Sequence, residues 1–508
     1  MLSVIAACGS LPPTADQVES QHFSEPAATE LGRLGERAAA PHAGLSGVRI
    51  LDSGIDAFDE RIALIDAAQR SIDAQYYIWN SDLTGKYMAQ AIYAAAERGV
   101  RVRLLLDDIN VAGRDATIAA LDAHRNIEIR LYNPFPQRSG MRKVLDLVSD
   151  FSRLNRRMHN KSFTVDGAVT IVGGRNIGDE YFDVNPELVF RDRDVEVIGP
   201  IVDQIGAMFD AFWNSELTYS IAVLSSNRLT DAEAARRLEG ARRTGDSLRA
   251  MKIQLPNDAA DALRTVAHSQ ARMVWAPARL VYDSPPRADA MAETSHVQAT
   301  AMEFGRLARA ARREILIESA YLVLDDPSLS VIQDIRARGV SIRALTNSLS
   351  SNDVTANHAA YARRREAIVT SGIDVYELRP DAASCADLVS VGACSLQRIF
   401  GLHAKSFVFD ETTLYVGSMN LNMRSAYLNA ESALIIESPE LARAVAGAIT
   451  LNMEPQNSWH VTRENGRLTW TTTDRDGGVV EMHREPDTPW WRRTQSGFIA
   501  MLPLEKYL

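Results

Sequence analysis

Alternation of apolar and polar residues identifies two strands that share one pattern. In residues 159–166 (HNKSFTVD), the alternating positions hold His, Lys, Phe and Val, and in residues 403–410 (HAKSFVFD) they hold His, Lys, Phe and Phe. An apolar run follows each segment, at 168–172 and at 412–416, so each pair predicts a β-hairpin that leads into a Gly/Ser turn. Because His and Lys share one face of the first strand, we expect them to project together where that strand begins.

The two hairpins contain one motif with identical spacing, H-x-K-x4-D-x6-G-[GS]-x-N. A single H-x-K would carry little information, since a lone histidine in an apolar segment is usually a core residue. Two copies far apart in one chain are hard to obtain by chance, and they mark the candidate site. Its polar members are, in the first copy, His159, Lys161, Asp166 and Asn176, and in the second copy, His403, Lys405, Asp410, Ser418 and Asn420.

The repetition extends beyond the motif, as an internal duplication predicts. Three earlier segments of each half correspond: 67–79 with 310–323, 94–108 with 334–348, and 127–134 with 373–380. Each half therefore alternates helices with strands before its hairpin, a pattern that favours a mixed sheet covered on both faces. We predict an α/β protein of two duplicated α/β/α lobes related by a pseudo-two-fold axis, with the motifs meeting at the seam.

Residues of these types suit phosphoryl transfer through histidine. An imidazole attacks phosphorus when neutral and donates a proton when charged, because it titrates near neutral pH. The lysines supply positive charge for phosphate oxygens, and Asn176, Asn420 and the Ser418 hydroxyl add hydrogen bonds. Two histidines allow one to be the nucleophile while the other is the acid and then the base.

The duplicated H-x-K-x4-D motif resembles that of the phospholipase D superfamily. Segments 74–85, 97–108 and 173–182 are similar to the bacterial cardiolipin synthase branch, particularly its C-type subgroup. The resemblance implies a phospholipase D fold and a phosphohistidine formed without metal or other cofactor. By that resemblance His159 is the nucleophile and His403 the acid/base, with reversed roles left open. It also implies that Asp166 and Asp410 hold the site together, with a role in late protonation left open.

The same resemblance implies a carboxylate after each motif that orients a catalytic histidine. Glu431 matches that position in the second half. In the first half an ungapped match of 197–200 to 436–439 selects Asp192, with Asp194 as the alternative. A carboxylate on the distal imidazole nitrogen fixes the tautomer and stabilises the imidazolium.

Composition fits a two-lobed enzyme, since 508 residues with 46% hydrophobic side chains can form two domain-sized cores. We divide the chain into a lipoprotein-like signal and tether (1–45), a first lobe (46–220), a helical connector (221–265), a second lobe (266–455) and an aromatic C-terminal tail (456–508). The net charge of −10 gives no global basic character, so a nucleic-acid partner is not expected. Phospholipid and the membrane surface are the expected partners, and an accessory protein is left open.

Three local features favour a bacterial membrane surface. Residues 5–8 (IAAC) resemble a lipobox, which predicts a lipid anchor at Cys8 facing the periplasm; only seven residues precede Cys8, so either upstream sequence is missing or the match is accidental. In that compartment a disulfide between Cys385 and Cys394 is chemically permitted. The other two features are basic residues before the first motif and late tryptophans: Arg138, Arg142, Lys143, Arg153, Arg156 and Arg157, and Trp459, Trp470, Trp490 and Trp491.

Three functions stay open at this point. The first is cardiolipin-synthase-like phosphatidyl transfer, in which a lipid hydroxyl is the acceptor. The second is phospholipase D hydrolysis, in which water is the acceptor and phosphatidic acid is the product. The third is a nucleic-acid phosphodiesterase, which the aromatic tail and the negative net charge disfavour. The motifs do not separate the first two, because both reactions pass through the same covalent intermediate.

Overall fold

The structure is a computed structural model, which describes residues 18–111, 115–136, 151–224, 255–287, 296–388, 398–474 and 476–500, with isolated residues between these ranges. Cys8 and three of the basic residues, Arg138, Arg142 and Lys143, lie outside the described residues.

The first half of the chain builds one large sheet with helices on both faces. Its strands are β1 (Ser46–Leu51), β2 (Ser71–Tyr76), β3 (Arg101–Asp107), β4 (Ile127–Tyr132), β5 (Ser162–Val165), β6 (Val169–Gly173), β7 (Leu188–Arg191), β8 (Asp194–Ile198), β9 (Thr218–Ser220) and β10 (Val274–Ala276). Its helices are α1 (Glu30–Ala39), α2 (Gly54–Ala67), α3 (Leu83–Glu97), α4 (Asp115–Asp122), α5 (Phe151–Leu154), α6 (Ile201–Trp213), α7 (Ile221–Leu224) and α8 (Ala259–Gln270).

The second half repeats this arrangement. Its strands are β11 (Ala278–Tyr282), β12 (Glu314–Ser319), β13 (Ser341–Asn347), β14 (Asp374–Leu378), β15 (Ile399–Leu402), β16 (Lys405–Phe409), β17 (Thr413–Gly417), β18 (Ser432–Glu437), β19 (Ser458–Glu464), β20 (Arg467–Thr473) and β21 (Val479–Met482). Its helices are α9 (Ala299–Ala310), α10 (Asp326–Ala337), α11 (Thr355–Thr370), α12 (Cys385–Leu388), α13 (Met423–Tyr427), α14 (Pro439–Met453) and α15 (Trp490–Ala500).

The strand order confirms the duplicated α/β architecture with mixed sheets. Within the described residues the first sheet runs β10-β1-β8-β6-β5-β2-β3-β4-β9, and the second runs β11-β18-β17-β16-β12-β13-β14-β19-β20-β21. In each sheet three parallel strands (β2, β3 and β4, or β12, β13 and β14) adjoin an antiparallel motif hairpin (β5–β6 or β16–β17). The predicted hairpins are therefore present in both halves.

The seam between the lobes is a packed apolar core. Helices α6 and α14, which follow equivalent strands of the two halves, contribute Phe209, Phe212, Val445 and Ile449 to one buried cluster that also includes residues of both sheets. A small parallel sheet crosses the seam, because β7 of the first half pairs with β15 of the second. The two lobes are thus fixed against each other close to both motifs.

The described N-terminal residues differ from the predicted tether. Residues 18–45 pack on the first lobe and include α1, whose N-cap Thr29 accepts a hydrogen bond from the Gly32 backbone N–H at 3.0 Å. Leu31 is fully buried. The Nδ1–H group of His22 donates to the Asp210 carboxylate of α6 at 2.7 Å. Apolar positions on one face of α1 bury against the lobe, which a tether lacking periodicity would not do.

The predicted domain divisions also differ from the structure at two later points. The division between residues 265 and 266 falls inside α8, and β10 after it still pairs with β1 of the first sheet. Residues assigned to a C-terminal tail instead extend the second sheet as β19, β20 and β21. Trp459 and Trp470 are consequently buried, so of the four late tryptophans only Trp490 and Trp491, 72% and 56% exposed, are available to a membrane.

Two further features bear on the expected location. A disulfide joins Cys385 to Cys394, with their Cα atoms 5.8 Å apart. Among the helices that the structure describes, none combines the length and the apolar character needed to cross a bilayer.

Candidate active site

His159 of the first motif faces a carboxylate of the second lobe. Its Nδ1 lies 2.7 Å from Oε2 of Glu431 and 3.1 Å from the backbone oxygen of Ser418. The His159 backbone N–H donates to the carbonyl of Ala430 at 2.8 Å, immediately before Glu431 in the chain. Both the ring and the backbone of His159 are therefore held by the opposite lobe.

His403 of the second motif is held in the same way by the first lobe. Its Nδ1 lies 2.5 Å from Oδ2 of Asp192, and its backbone N–H donates to the Arg191 carbonyl at 2.8 Å. Each histidine thus takes its carboxylate from the other half of the chain. This reciprocal arrangement is the pseudo-two-fold relation expected at the seam.

The strand register shows that the two carboxylates are equivalent. The glycine that ends β6 lies opposite Asp194, and the glycine that ends β17 lies opposite Ala433. The site carboxylates, Asp192 and Glu431, each stand two positions earlier. Asp194, the alternative from sequence, instead accepts a hydrogen bond at 2.8 Å from the buried Arg61 of its own lobe.

The motif lysines lie beside the histidines and are buried. Lys161 Nζ donates to the His159 carbonyl at 2.5 Å. Lys405 Nζ donates to the His403 carbonyl and lies 2.9 Å from His403 Nδ1. Burial lowers the pKa of Lys161 to about 7 and that of Lys405 to about 8. Negative charge brought to the site by a phosphate would favour the charged forms of both lysines.

The motif aspartates lie away from the histidines and bind backbone. The strand β5 lies between His159 and Asp166, and its four residues span roughly 13 Å. Asp166 Oδ1 accepts from the N–H groups of Arg70 and Ser71 at 2.7 and 2.9 Å, where β2 begins. Asp410 makes the equivalent contacts at the start of β12. Both aspartates join the motif strand to its neighbour and do not reach the cleft.

Ser418 has a different place from the one predicted. Its hydroxyl donates to Glu431 Oε2 at 2.5 Å and accepts from the Ser432 N–H at 3.0 Å, so it is already engaged and holds the carboxylate that faces His159. The equivalent residue of the first half is Gly174. A Cβ there would approach Asp192 Oδ1 to 2.3 Å, so the closeness of that carboxylate explains the glycine.

The motif asparagines are equivalent in position but differ in their contacts. Asn176 accepts from the Ile78 N–H at 3.1 Å and donates to the Tyr181 hydroxyl at 3.2 Å. Asn420 has a buried side-chain oxygen that finds no hydrogen-bond partner among the described residues. Its amide is thus the less engaged of the two.

Aromatic rings flank both histidines, and the motif did not identify them. Tyr77 contacts His159 edge-on at a centroid distance of 4.9 Å, and Tyr181 contacts His403 in the same manner at 5.1 Å. Both tyrosines lie in segments that resemble the family, which was the available signal. Asp283 carries no such signal; it accepts from the Glu431 backbone N–H at 2.9 Å, and burial raises its pKa to about 7.

The charge states of the two histidine–carboxylate pairs follow from burial and proximity. Burial lowers the pKa of His159 to about 4, which leaves a neutral imidazole at neutral pH. Burial alone would raise the pKa of Glu431, but His159 and Lys161 lower it below its usual value, and the carboxylate is ionised. In the other pair, His403 and Lys405 hold the pKa of Asp192 well below its usual range.

The pairing also selects the tautomer of His159. A proton on Nδ1 is shared with Glu431, so the lone pair of Nε2 is free to attack phosphorus. In the parts of the chain that the structure describes, no group of three or more His, Cys, Asp or Glu side chains is placed to bind a metal ion.

Comparison with known proteins agrees with this geometry. The family described as "Cardiolipin synthase, PLD-like domain" matches residues 62–213 and 306–449, one segment in each lobe. Cardiolipin synthase C of Escherichia coli (strain K12) is 36% identical, over 91% of this chain and 96% of its own length. An uncharacterized protein of Helicobacter pylori (strain ATCC 700392 / 26695) is 30% identical, over 94% and 93%.

A solved structure shares the fold at low sequence identity. Phosphatidylserine synthase from Haemophilus influenzae Rd KW20 superposes with a TM-score of 0.58 at 13% identity, covering 93% of this chain and 100% of that one. The likeness concerns the arrangement of both lobes, since it spans nearly the whole chain. With the duplicated motif, its reciprocal histidine pairs and the matching family segments, the chain belongs to the cardiolipin synthase family of phospholipase D-like proteins.

Proposed function

We propose that this protein transfers a phosphatidyl group from one phospholipid to a hydroxyl group of another, as a cardiolipin synthase does. The observation that carries the proposal is the pair of reciprocal contacts, His159 with Glu431 and His403 with Asp192. They provide two imidazoles at one seam, each with its Nδ1 held by an ionised carboxylate. A substrate phosphodiester between them meets a nucleophile on one side and a proton donor on the other.

In the first half-reaction, Nε2 of His159 attacks the phosphorus. An N–P bond forms, the P–O bond to the departing alcohol breaks, and the imidazolium of His403 gives its proton to the departing oxygen. Burial and the nearby Lys405 lower the pKa of His403, so its protonated form depends on the negative charge of Asp192 and of the bound phosphodiester. This assignment follows the family resemblance, and the low pKa of His159 supports it.

In the second half-reaction, neutral His403 removes the proton from the incoming hydroxyl. The hydroxyl oxygen attacks phosphorus, the N–P bond breaks, and His159 returns to its starting state. Lys161, Lys405, Asn176 and Asn420 hold the phosphate oxygens through both steps. Ser418 contributes indirectly, because it positions the carboxylate that faces His159.

The relatives support a lipid substrate. Cardiolipin synthase C matches this chain along nearly its whole length, and further matching relatives are also named cardiolipin synthases. A lipid hydroxyl is therefore the favoured acceptor. Hydrolysis by water uses the same intermediate and yields phosphatidic acid, so product analysis separates the two reactions.

We propose that α15 attaches the protein to the membrane surface. Trp490, Trp491 and Phe498 on this helix are all more than half exposed. Arg492 lies among them and donates to the Asn352 carbonyl at 2.6 Å. Exposed aromatic side chains with a half-buried arginine among them, on one short helix, suit the interface between lipid headgroups and water.

The place of α15 near the cleft supports this attachment. Asn352 follows β13 by a few residues, and β13 itself ends at Asn347. Asn347 donates to the carbonyl of Leu402, the residue before His403, at 2.7 Å. A bilayer contacted by α15 would therefore lie close to the candidate site.

A periplasmic, lipid-anchored location is also part of the proposal. The disulfide between Cys385 and Cys394 supports an oxidising compartment, as in the bacterial periplasm. Lipidation of Cys8 would add a second means of attachment, and one acyl anchor combined with a surface contact binds more stably than either alone.

The decisive experiment analyses products by mass spectrometry. Purified protein is incubated with phosphatidylglycerol vesicles, with and without phosphatidylethanolamine, beside a His159→Asn control. Cardiolipin that is absent from the control supports transfer to a lipid hydroxyl. Phosphatidic acid as the sole product assigns water as the acceptor. If neither cardiolipin nor phosphatidic acid forms, the proposed reaction is wrong.

A further inference from the structure

An apolar pocket opens in the second lobe between α9, α10 and the turn that follows the second motif. Its volume is about 440 Å³, within the range of small-molecule sites. Buried Ile317, Val323 and Met419 lie in its wall, whereas Met302 at the rim is 57% exposed. The pocket is therefore apolar inside and continues into an apolar rim at the surface.

The first lobe carries larger side chains at the equivalent place. β2 and β12 are equivalent, because Ile72 and Ile315 lie opposite the residues that precede the two motif aspartates. We extend this equivalence from each strand towards the N-terminus by an alignment without gaps. Three residues that line the pocket then correspond to larger residues of the first lobe: Ala301 to Phe58, Gly305 to Ile62, and Ala308 to Ile65.

The larger residues belong to the packed core of the first lobe. Phe58, Ile62 and Ile65 are each fully buried. The Phe58 ring packs edge-on against Phe182 at 5.1 Å and contacts Tyr87 at 6.2 Å. Small side chains at the matching positions of the second lobe thus leave space that the duplicated fold otherwise closes, which is the expected signature of a binding site rather than of loose packing.

The pocket adjoins the candidate site through the motif turn. Asn420 and Leu421 line it, and two positions before Asn420 the Ser418 carbonyl lies 3.1 Å from Nδ1 of His159. The turn is fixed, because the Leu421 N–H donates to the Ser319 hydroxyl at 3.0 Å. The side-chain oxygen of Asn420, which has no hydrogen-bond partner within the described part of the chain, marks a polar point where the apolar pocket meets the phosphate site.

From this geometry we propose that the pocket binds one acyl chain of the phosphatidyl group that is carried on His159. The proposal rests on the proposed transfer reaction. In that reaction the alcohol of the donor departs while the phosphatidyl group stays bound through phosphorus, so its acyl chains must remain accommodated until the acceptor arrives. An apolar pocket beside His159 stabilises that intermediate, and its one-sided position gives the two lobes unequal roles.

The test introduces into the pocket the larger side chains that the first lobe has at the equivalent positions. The double variant Ala301→Phe/Gly305→Ile fills the pocket; a Cβ at Gly305 meets only the flexible end of Arg309, at 3.1 Å. Replacing a helical glycine also favours the helix, so the variant is expected to fold. Gly447→Ile on α14 is the matched control, since a Cβ there has nothing within 4 Å.

Two readouts separate the pocket from the reaction. The first is kcat/KM for phosphatidylglycerol with C16–C18 chains relative to dihexanoyl phosphatidylglycerol. We expect this ratio to fall on the order of tenfold in the double variant, about the effect of two methylene groups losing apolar contact, and to stay unchanged in Gly447→Ile. The proposal is overturned if the ratio stays unchanged in the double variant, whether the activity on both substrates is retained or is lost equally.

The second readout needs no turnover. Fluorescence titration with 12-(9-anthroyloxy)stearate is expected to show at least tenfold weaker binding to the double variant than to wild type and Gly447→Ile. Should the wild type form neither cardiolipin nor phosphatidic acid, the transfer reaction fails, and this titration still decides the pocket. Equal binding to all three proteins, or no binding to any of them, overturns the acyl-chain assignment.

Discussion

Glu431 Oε2 lies 2.7 Å from Nδ1 of His159, although the two residues are 272 positions apart and belong to different halves of the chain. Asp192 and His403 repeat the contact in the opposite direction. Neither lobe alone therefore holds a complete histidine–carboxylate pair. Any change that separates the lobes removes both pairs at once, so the packed seam around α6 and α14 is part of the active site's support.

Replacing Glu431 by Gln tests whether this contact sets the tautomer of His159. A glutamine amide that donates to Nδ1 would place the imidazole proton on Nε2 and remove the attacking lone pair. We expect kcat to fall about 10²- to 10⁴-fold, the range for loss of a positioned acid–base partner. The measurement is the rate of phosphoenzyme formation in a single turnover.

Glu440→Gln is the matched control, because Glu440 is an exposed glutamate at the start of α14. It should leave the rate unchanged. A second readout is the acid limb of the pH profile: Glu431 raises the pKa of His159 against the larger effect of burial, so its removal should move that limb to lower pH. Wild-type rates in Glu431→Gln would refute the positioning role.

The pH dependence of kcat/KM should rise above about pH 4 and reach its maximum on the acid side of neutrality, because His159 must be neutral while His403 must be protonated. Below pH 4, protonation of His159, whose pKa burial lowers to about 4, removes the nucleophile. On the basic side His403 loses its proton first, since burial and Lys405 lower its pKa below the ordinary value of an imidazole. Lys161 and then Lys405 lose charge at higher pH, because burial lowers their pKa values to about 7 and about 8. This parameter reports the free protein, to which these values apply.

The basic limb has its own check. Lys161→Arg keeps its positive charge throughout this range, at a cost in rate because guanidinium and ammonium groups differ in shape. Above neutral pH its remaining activity should decline less steeply than that of wild type, because only Lys405 of the two lysines then loses charge, at about pH 8. A wild-type profile that stays level to pH 9 would show that neither lysine needs its proton in the reaction.

Much of the site could be predicted because the chain contains its own comparison. Aligning one half with the other identifies both motifs and pairs Asp192 with Glu431. The alignment cannot say which histidine each carboxylate faces, since that depends on how the lobes dock. It also predicted a phosphate contact for Ser418, whose hydroxyl instead holds Glu431; the residue type is the same for either role.

The tryptophans show a second limit of sequence. Trp459 and Trp470 stand in a segment whose composition suggested a membrane surface, yet both are buried. Their burial follows from β19 pairing with β14, a contact across a long stretch of chain. The Trp470 indole N–H donates to buried Glu377 at 3.0 Å. A tryptophan side chain is amphipathic and can contact either protein or lipid, so the composition of a segment does not show which it contacts. Tertiary packing decides this.

Asp166 should matter for stability rather than for chemistry. Asp166→Ala leaves the N–H groups of Gln69, Arg70 and Ser71 without their acceptor, and we expect a loss of about 2–4 kcal/mol in the free energy of unfolding. Asp166→Asn should lose less, because one oxygen still accepts and asparagine tolerates the positive φ of 52° there.

The comparison that decides this is between stability and turnover. Denaturant unfolding should rank wild type, Asp166→Asn and Asp166→Ala in decreasing order, while kcat per folded molecule stays within a few-fold. His159→Asn should do the opposite, with near-normal unfolding and no turnover. If Asp166→Asn unfolded normally and lost turnover as completely as His159→Asn, Asp166 would have a chemical role.

Membrane attachment through α15 predicts weaker vesicle binding when its aromatic residues are removed. Trp490→Ser/Trp491→Ser withdraws two large side chains that are 72% and 56% exposed, so the fold loses little contact. Burying such side chains in a membrane interface contributes about 1.5–3 kcal/mol each, and affinity should fall at least tenfold. Sedimentation with phosphatidylglycerol vesicles measures the change.

Substitution is preferable to truncation here because residues just before α15 support the fold. Glu485 pairs with buried Arg365 at 2.6 Å, and Asp487 accepts from the Trp459 indole at 3.0 Å.

Val479→Ser is the control, since Val479 is an exposed apolar residue on β21, outside the helix. Binding lost equally in both variants would indicate general surface hydrophobicity, and binding retained in the Trp490→Ser/Trp491→Ser variant would leave α15 without a role at the membrane. Loss confined to that variant, with turnover of dihexanoyl phosphatidylglycerol preserved, assigns α15 to docking because a short-chain soluble substrate does not require the bilayer.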